Sequence, residues 1–349
     1  MTALRPLPPQ PASVAWPTRA WPVAELDASV DAAAIRRAAD AAFAPGSSHG
    51  ETLAIVVVHR GQLVFERYAE GKHASDTFPS WSMAKSMLHA TVGMLVGEGR
   101  LDLHAPAPIA AWHGAGDARA AITLEHLLRM VDGLDFVELY EPTSRSDVVD
   151  MIFGAGKADV AGYAIARPPL HPPGAYWSYS SGTSNIVARI AGDAAGGGEA
   201  AMRDFLHQRL FDPIGMRSAK PRFDAAGTFI GSSFVFATAQ DFARFGLLYL
   251  RDGVWDGVRL LPQGWVDHAR SETPASIGRY GAHWWLALDG SGIFTANGFQ
   301  GQHIVVDPAR DLVVVRLGVS TPAERVDVVR GLHAVVSAFP SARETLEAR

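Results

Sequence analysis

The chain has 349 residues, a formal net charge of −5 and no cysteine. Lack of thiols excludes a Cys nucleophile, disulfides, an Fe–S cluster and a Cys-ligated zinc site. The slight acidity argues against a nucleic-acid partner, because phosphate binding calls for a basic patch. The 31 basic residues divide into 27 Arg and four Lys, namely Lys72, Lys85, Lys157 and Lys220. Arg keeps its charge, so an amine base has to be sought among those four.

At 48% hydrophobic and 19% charged residues, the composition is globular, and the length suits one large domain or two lobes. No run approaches the roughly 20 apolar residues of a membrane span, so no membrane partner is expected. The first 17 residues hold five prolines and no apolar h-region. They read as part of an extension over 1–30, mobile or wrapped on the surface, rather than a signal peptide, and the expected compartment is the cytoplasm.

In chain order, Ala32 to Phe43 is predicted helical. Leu53 to Val58 and Leu63 to Tyr68 are β-rich runs joined as a hairpin by His59-Arg60-Gly61-Gln62. A helix is predicted near Met83 to Glu98, with the apolar stripe Ala84, Met87, Leu88, Thr91, Val92 and Leu95. Thr123 opens a helix over LEHLLRM that stops at Asp132-Gly133. Further helices are expected at Asn185 to Ala191 and at Ala201 to Leu210, with the loop GDAAGGG between them and Asp212-Pro213 ending the second. Phe234 to Phe236 is a short β-like run, and Asp241 to Arg251 a helix. Trp284 to Leu288, Ile293 to Ala296, His303 to Val306 and Leu312 to Leu317 read as strands, and Val326 to Phe339 closes as a helix. The expected layout is an α/β lobe with an antiparallel sheet from 31–90 and 226–349, and a mainly helical lobe from 91–225.

Several motifs are absent or misplaced. Gly46-Ser47-Ser48-His49-Gly50 matches G-x-S-x-G, but a helix precedes it and a strand follows, the reverse of a nucleophile elbow, so it reads as a loop. No H-E-x-x-H or H-x-H-x-D cluster occurs, and no metal is expected. His104, His113 and His126 read as structural.

Ser82-Met83-Ala84-Lys85 is an S-x-x-K tetrapeptide placed where a helix begins. Three residues apart, Ser82 and Lys85 share one helix face, which continues through Ser86 and His89, opposite the apolar stripe. The plain alternative is an N-cap serine with a solvated lysine. The chemical reading is a serine whose proton is taken by a neutral lysine, neutralised by burial and nearby positive charge. The Ser82 N–H, near a helix N-terminus, would then supply half of an oxyanion hole. A second piece is Tyr179 in the loop Pro173 to Gly182, where a phenol beside an amine can protonate a leaving group. The plain alternative there is a turn with an aromatic anchor. A third is Asn297-Gly298-Phe299-Gln300-Gly301-Gln302, whose glycines allow close backbone approach and which otherwise reads as a turn leading into a strand.

The ordered segments FPSWSMAKS, GEGRLDLHAPAP, AITLEHLLRMVDGL, HPPGAYWSYSSGTSNIVARI and GTFIGSSFVFATAQDFARFGLLYL resemble the serine β-lactamase-like hydrolases of the class C and penicillin-binding type. Within that superfamily they are most similar to the esterase and 6-aminohexanoate-oligomer hydrolase branch, over roughly 50–335. The resemblance implies an α/β lobe with an antiparallel sheet flanked by helices, an all-α lobe, and a site between them. It assigns Ser82 as nucleophile, Lys85 as its base partner and Tyr179 as the proton-handling tyrosine. Phe299-Gln300-Gly301 matches the third motif, which puts the second oxyanion N–H at Gln302. Two departures stand out: Ser181 occupies a position usually held by Asn, and Phe299 one usually held by Lys or His. Without that cation a β-lactam carboxylate loses a partner, so a neutral ester or linear amide is the expected substrate. Trp81, Tyr140, Trp177 and Phe299 are candidates for an apolar acyl pocket, with Ser181, Gln300 and Gly301 beside them. The expected protein is a cofactor-independent serine hydrolase with a small-molecule ester or amide substrate. A D-amino-acid peptidase, a weak β-lactamase, an acyltransferase and a noncatalytic binding module of the same fold remain as alternatives.

Overall fold

The structure is a computed structural model that describes residues 4–140 and 145–341. Residues 1–3, 141–144 and 342–349, which fall at the start of the expected extension, within the expected helical region and at the C-terminal end, lie outside the described residues.

Helix α1 (Ala32–Phe43) starts where Asp31 accepts the Ala34 N–H, satisfying one of the free donors of its first turn. Strands β1 (Glu51–His59) and β2 (Gln62–Tyr68) follow as a hairpin. Its two turn residues, Arg60 and Gly61, have φ of 52° and 77°. That left-handed pair matches the right-handed twist of the strands it joins. The GSSHG segment is the loop between α1 and β1.

Next come β3 (Phe78–Pro79), a 3₁₀ turn over Trp81–Met83, and α2 (Ala84–Gly97), which continues the turn without a break. The helical layer contains α3 (Leu124–Leu128), α4 (Asp147–Phe153), α5 (Val160–Ile165), α6 (Ser181–Ala195) and α7 (Gly198–Phe205), the last prolonged by a π turn over Leu206–Phe211. Strands β4 (Lys220–Pro221) and β5 (Val235–Ala237) pair with β3 as a small sheet. The chain continues through α8 (Ala239–Leu250), the ribbon β6 (Val254–Trp255) and β7 (Val258–Arg259), and α9 (Trp265–Arg270). It ends with β8 (Trp285–Leu286), β9 (Phe294–Gly298), β10 (Gln302–Asp307), β11 (Leu312–Val319) and α10 (Arg325–Ser337).

The main sheet runs β2-β1-β11-β10-β9-β8 and every pair is antiparallel. First and last strands of the chain meet at its centre, where Val56 pairs with Val315 and Val57 with Val314. Both sheet faces are covered, which explains the apolar run Leu312–Val315 that opens β11. Val313, Val315 and Leu317 join the large core shared with α8 and the helical layer, whereas Leu312 and Val314 pack with α1 and α10 residues such as Ile35, Val328 and Val335.

Two expectations change. Helix α2 is not amphipathic in its setting: every residue from Ala84 to Leu95 is buried, the polar side chains included. Helix α6 starts at Ser181, four residues earlier than the apolar pattern indicates, because Ser180 caps it by accepting the Thr183 N–H at 3.0 Å. The N-terminal extension wraps the α/β part of the fold. Pro17 and Pro8 carbonyls accept from the buried Arg244 (2.8 Å) and Arg251 (3.2 Å), and Ala24 N–H donates to the Leu63 carbonyl of β2. No helix of the described residues is long and apolar enough to cross a membrane.

Gly246 is where α8 lies closest to the sheet; a Cβ there would stand 2.6 Å from Val313 Cγ1 and 2.8 Å from Ile304 Cγ2. Alanine gains ~1 kcal/mol of helix propensity, while overpacking typically costs ~1–3 kcal/mol. Gly246→Ala is therefore expected to be net destabilising by about 1 kcal/mol, read as a lower urea midpoint with an unchanged m-value.

Candidate active site

The segment that carries Ser82 is held on both sides. Ser80 N–H donates to the Val235 carbonyl (2.8 Å) and Ser80 Oγ accepts the Val235 N–H (3.0 Å), which ties the approach to α2 to strand β5. Trp81 then takes a φ of +43°, a left-handed conformation that a bulky residue adopts only where its surroundings impose it. Its ring is clasped between Phe234 and Phe299, each 5.5 Å away by centroid. On the sheet side, a Cβ at Gly298 would lie 2.4 Å from the Ser80 carbonyl oxygen. Glycine there lets the end of β9 come up against the Ser82 segment.

Lys85, one turn along α2, is 1% exposed, whereas Lys72, Lys157 and Lys220 are all exposed. Its Nζ stands 3.1 Å from Ser82 Oγ, 3.0 Å from Ser181 Oγ and 2.8 Å from the Ser232 carbonyl oxygen. Ser232 is itself fixed, its N–H donating to Asn185 Oδ1 of α6 at 3.2 Å. Burial holds the Lys85 amine down at about 8, and the Glu138 carboxyl pulls the other way. The cause is desolvation alone; the neighbouring positive charge expected from the sequence is not what lowers it.

Tyr179 sits just ahead of the Ser180 cap of α6, with Lys85 Nζ 4.9 Å from its ring centroid. Its loop is anchored by Ser178 N–H to the Met130 carbonyl and by Thr183 Oγ1 to the buried Asp132 (2.7 Å). Burial and the Glu138 carboxyl raise the Tyr179 phenol well above its ordinary value, with the Ser82 hydroxyl opposing them, so it is a neutral O–H at neutral pH.

Glu138 was not singled out in the sequence. It accepts the Ser181 N–H (2.8 Å), the Ser181 hydroxyl (2.6 Å) and the Tyr140 hydroxyl (2.8 Å). It comes from an irregular stretch between α3 and α4, with no motif around it to mark it. Trp285 of β8 was also missed; it stacks near Tyr179 at 5.1 Å and lines the site.

A cleft of about 600 Å³ opens above Ser82. Tyr179 and Trp285 form one side, and Tyr140, Gly298, Phe299 and Gly301 the other; Tyr140 stacks on Phe299 at 4.8 Å. Of the residues expected at an acyl pocket, Tyr140, Phe299 and Gly301 line the cleft. Trp81, Trp177, Ser181 and Gln300 are not among its lining residues. Trp177 packs behind it against Tyr280 and Trp285, Ser181 is spent on Lys85 and Glu138, and the left-handed Gln300 (φ 62°) gives its carbonyl to Arg316 and the Ser320 N–H. The role expected of Gln302 is that of its backbone N–H; its side chain is turned away from the cleft. It is 2% exposed, and its side-chain amide donates to the Gly318 carbonyl (2.6 Å) and accepts the Gly318 N–H (3.0 Å), standing in for a ladder pair between β10 and β11. The tight turn Phe299–Gly301 redirects the chain before Gln302 enters the sheet, and Phe299 and Gly301 both line the cleft.

The family model described as Beta-lactamase matches residues 35–336, and the chain belongs to that family of hydrolases. Over 286 residues, 76% of this chain and 72% of the relative, it is 26% identical to 6-aminohexanoate-dimer hydrolase of Paenarthrobacter ureafaciens. Among solved structures it is similar to a Bacillus anthracis protein provisionally described as a 6-aminohexanoate-dimer hydrolase, at TM-score 0.73 and 22% identity, covering 97% of this chain and 92% of that one. It is also similar to a D-stereospecific amidohydrolase from Streptomyces sp., at TM-score 0.65 and 18% identity, covering 86% and 97%. The fold is thus the β-lactamase/transpeptidase-like one, with an antiparallel sheet flanked by helices.

Lys85 carries a stability signature. Its value is about 8 folded against 10.5 as a free side chain, so the unfolded chain holds the proton more tightly. Stability from this group is lowest below pH 8 and rises as pH climbs toward 10.5, by roughly 3 kcal/mol over the window. Chemical denaturation of wild type and Lys85→Met at pH 7 and pH 9.5 is expected to show wild type gaining on the variant at the higher pH.

Proposed function

We propose that this chain is a serine hydrolase that cleaves linear amides or esters through an acyl-enzyme on Ser82, with Lys85 as its base. The observation that carries the reading is the set of partners around the Lys85 amine. The Ser232 carbonyl can only accept a hydrogen bond, and Ser181 Oγ, which donates to Glu138, must accept from Lys85. A neutral amine has two N–H groups and one lone pair. With both N–H groups committed, the lone pair faces Ser82 Oγ, 3.1 Å away. Glu138 therefore acts through Ser181 to set the direction of the base.

In this mechanism Lys85 takes the Ser82 proton as Oγ attacks the carbonyl carbon of the substrate. The oxyanion is held by the Ser82 N–H, in the first residues of a short helical turn where backbone N–H groups lack intrahelical partners, and by the Gln302 N–H where β10 begins. The neutral Tyr179 hydroxyl donates a proton to the leaving amine or alcohol and is resupplied from Lys85. Water, activated by the same amine, then releases the acyl group. Phe299 in place of a cation, and the likeness to 6-aminohexanoate-dimer hydrolase, favour an open-chain substrate over a β-lactam.

Ser82→Ala is expected to lower kcat/KM for 4-nitrophenyl butyrate by at least roughly a thousandfold, and Lys85→Arg by a similar factor, since Arg stays protonated. Near-wild-type turnover in either variant refutes the mechanism. Because the neutral amine is the active form, kcat/KM is expected to rise with pH through about 8. Removing the Glu138 charge takes away what holds the Lys85 value up, so Glu138→Gln is expected to move that limb to lower pH while reducing kcat. A limb that stays in place separates Glu138 from the base.

A further inference from the structure

Behind Lys85 lies a histidine that the mechanism does not use. His283 stands two residues before β8, the strand that brings Trp285 to the cleft, and is 2% exposed. Its backbone is left-handed, with a φ of 56°. A buried non-glycine residue keeps such a backbone only where its contacts fix it. Four hydrogen bonds do so, and they reach three helices. The Leu128 carbonyl at the end of α3 accepts from both the His283 backbone N–H (3.1 Å) and the ring Nδ1 (2.8 Å). A carbonyl can only accept, so Nδ1 carries a proton. Burial, with Lys85 and His268 adding to it, holds the imidazole down at about 3, so the ring is neutral and its Nε2 is a lone pair. That lone pair accepts from Ser184 Oγ of α6 at 3.0 Å. The His283 carbonyl accepts from Ser86 Oγ of α2 at 2.7 Å.

Ser86 and Ser184 are neighbours of the groups that meet at the amine. Ser86 follows Lys85 in α2, and Ser184 lies one turn beyond Ser181 on the same face of α6. Both are buried, at 1% and 0% exposure. One residue thus ties together the two helices whose side chains form the 3.0 Å contact between Lys85 Nζ and Ser181 Oγ. The titratable groups around the pair are Glu138 and Tyr179 on the cleft side. Behind it are His89 of α2 and His268 of α9, which meet at 3.1 Å, His268 being held in turn by Glu125 of α3 at 2.7 Å.

We infer that His283 is a positioning residue: it clasps α2 to α6 at Ser86 and Ser184, and so holds the Lys85 amine against Ser181 and closed to water. Because burial is what lowers Lys85, a looser contact between the two helices readmits water and raises it. The effect on turnover rests on the serine-hydrolase reading; the effect on the amine does not, and the two are measured apart.

The amine is read by NMR titration of protein carrying isotope-labelled lysine, in which Lys85→Met identifies the one buried signal among four. Ser184→Ala and His283→Asn are each expected to move the Lys85 midpoint to the alkaline side by about half a pH unit. Asn tolerates a left-handed backbone, which spares that variant added strain, and Ser184→Ala leaves the backbone untouched should it still fail to fold. With 4-nitrophenyl butyrate, kcat is expected to fall about tenfold while KM stays within about twofold, and the pH limb to move with the midpoint. Thr91→Val controls for lost stability: it deletes a buried hydroxyl of α2 that donates within the helix, to the Met87 carbonyl at 2.9 Å. That control is expected to leave midpoint and kcat in place. A midpoint that stays put in both clasp variants, or that moves equally in Thr91→Val, overturns the clasp. A moved midpoint with kcat unchanged, where Ser82→Ala is inactive, overturns the positioning role. A moved midpoint together with undiminished ester turnover in Ser82→Ala keeps the clasp and overturns the hydrolase reading instead.

Discussion

The site depends on one buried amine. Lys85 is 1% exposed in a helix with no solvent-facing side over its first three turns, and its ammonium form loses hydration that nothing fully replaces. That cost lowers the amine to about 8, which suits the base role proposed for it. It also dictates the surroundings: a backbone carbonyl from the 230s loop, a hydroxyl from α6 and the Ser82 hydroxyl are brought to within 3.1 Å of one nitrogen. The helical layer, the small β3–β5 sheet and the main sheet all contribute to fixing that geometry.

Other positive charges show the contrasting solution. Arg244, Arg251 and Arg316 are buried as well, and each guanidinium meets several acceptors. Arg316 alone donates to carbonyls of Gln300, Gly301 and His49 and to the Thr52 and Ser320 hydroxyls. Arg251 and Arg244 strap the N-terminal extension onto the fold by its carbonyls. The chain thus surrounds these buried Arg side chains with acceptors, whereas burial lowers its single buried Lys to about 8.

Local strain and glycine serve the same site from the other side. Trp81 is held left-handed just before Ser82, and Gly298 lets strand β9 approach the Ser80 carbonyl. Together they set Ser82 and the turn at Phe299 against a common space. The aromatic set Trp81, Phe234, Phe299 and Tyr140 shields that space from one side, and Tyr179 with Trp285 from the other.

Much of this was legible in the residues. Periodicity and turn chemistry located the β1–β2 hairpin, α2, α8 and the closing strands to within a few residues, because those elements bury continuous apolar faces. The S-x-x-K spacing picked out Lys85 from four lysines, since helical geometry alone puts Ser82 and Lys85 on one face. What sequence could not decide was which of that helix's faces meets solvent. The polar residues Lys85, Ser86 and His89 read as exposed by pattern and are buried by packing, because Ser181 of α6 and Ser232 of the 230s loop come in from 96 and 147 residues away. For the same reason Glu138, set in irregular chain with no local signal, became visible only when the fold laid it against Ser181. Likewise, the placement of Gln302 turned on a tight turn whose direction no spacing encodes. The sequence determined which groups are chemically able to act; long-range packing decided which of them are desolvated, and in the proposed mechanism desolvation is what turns a lysine into a base.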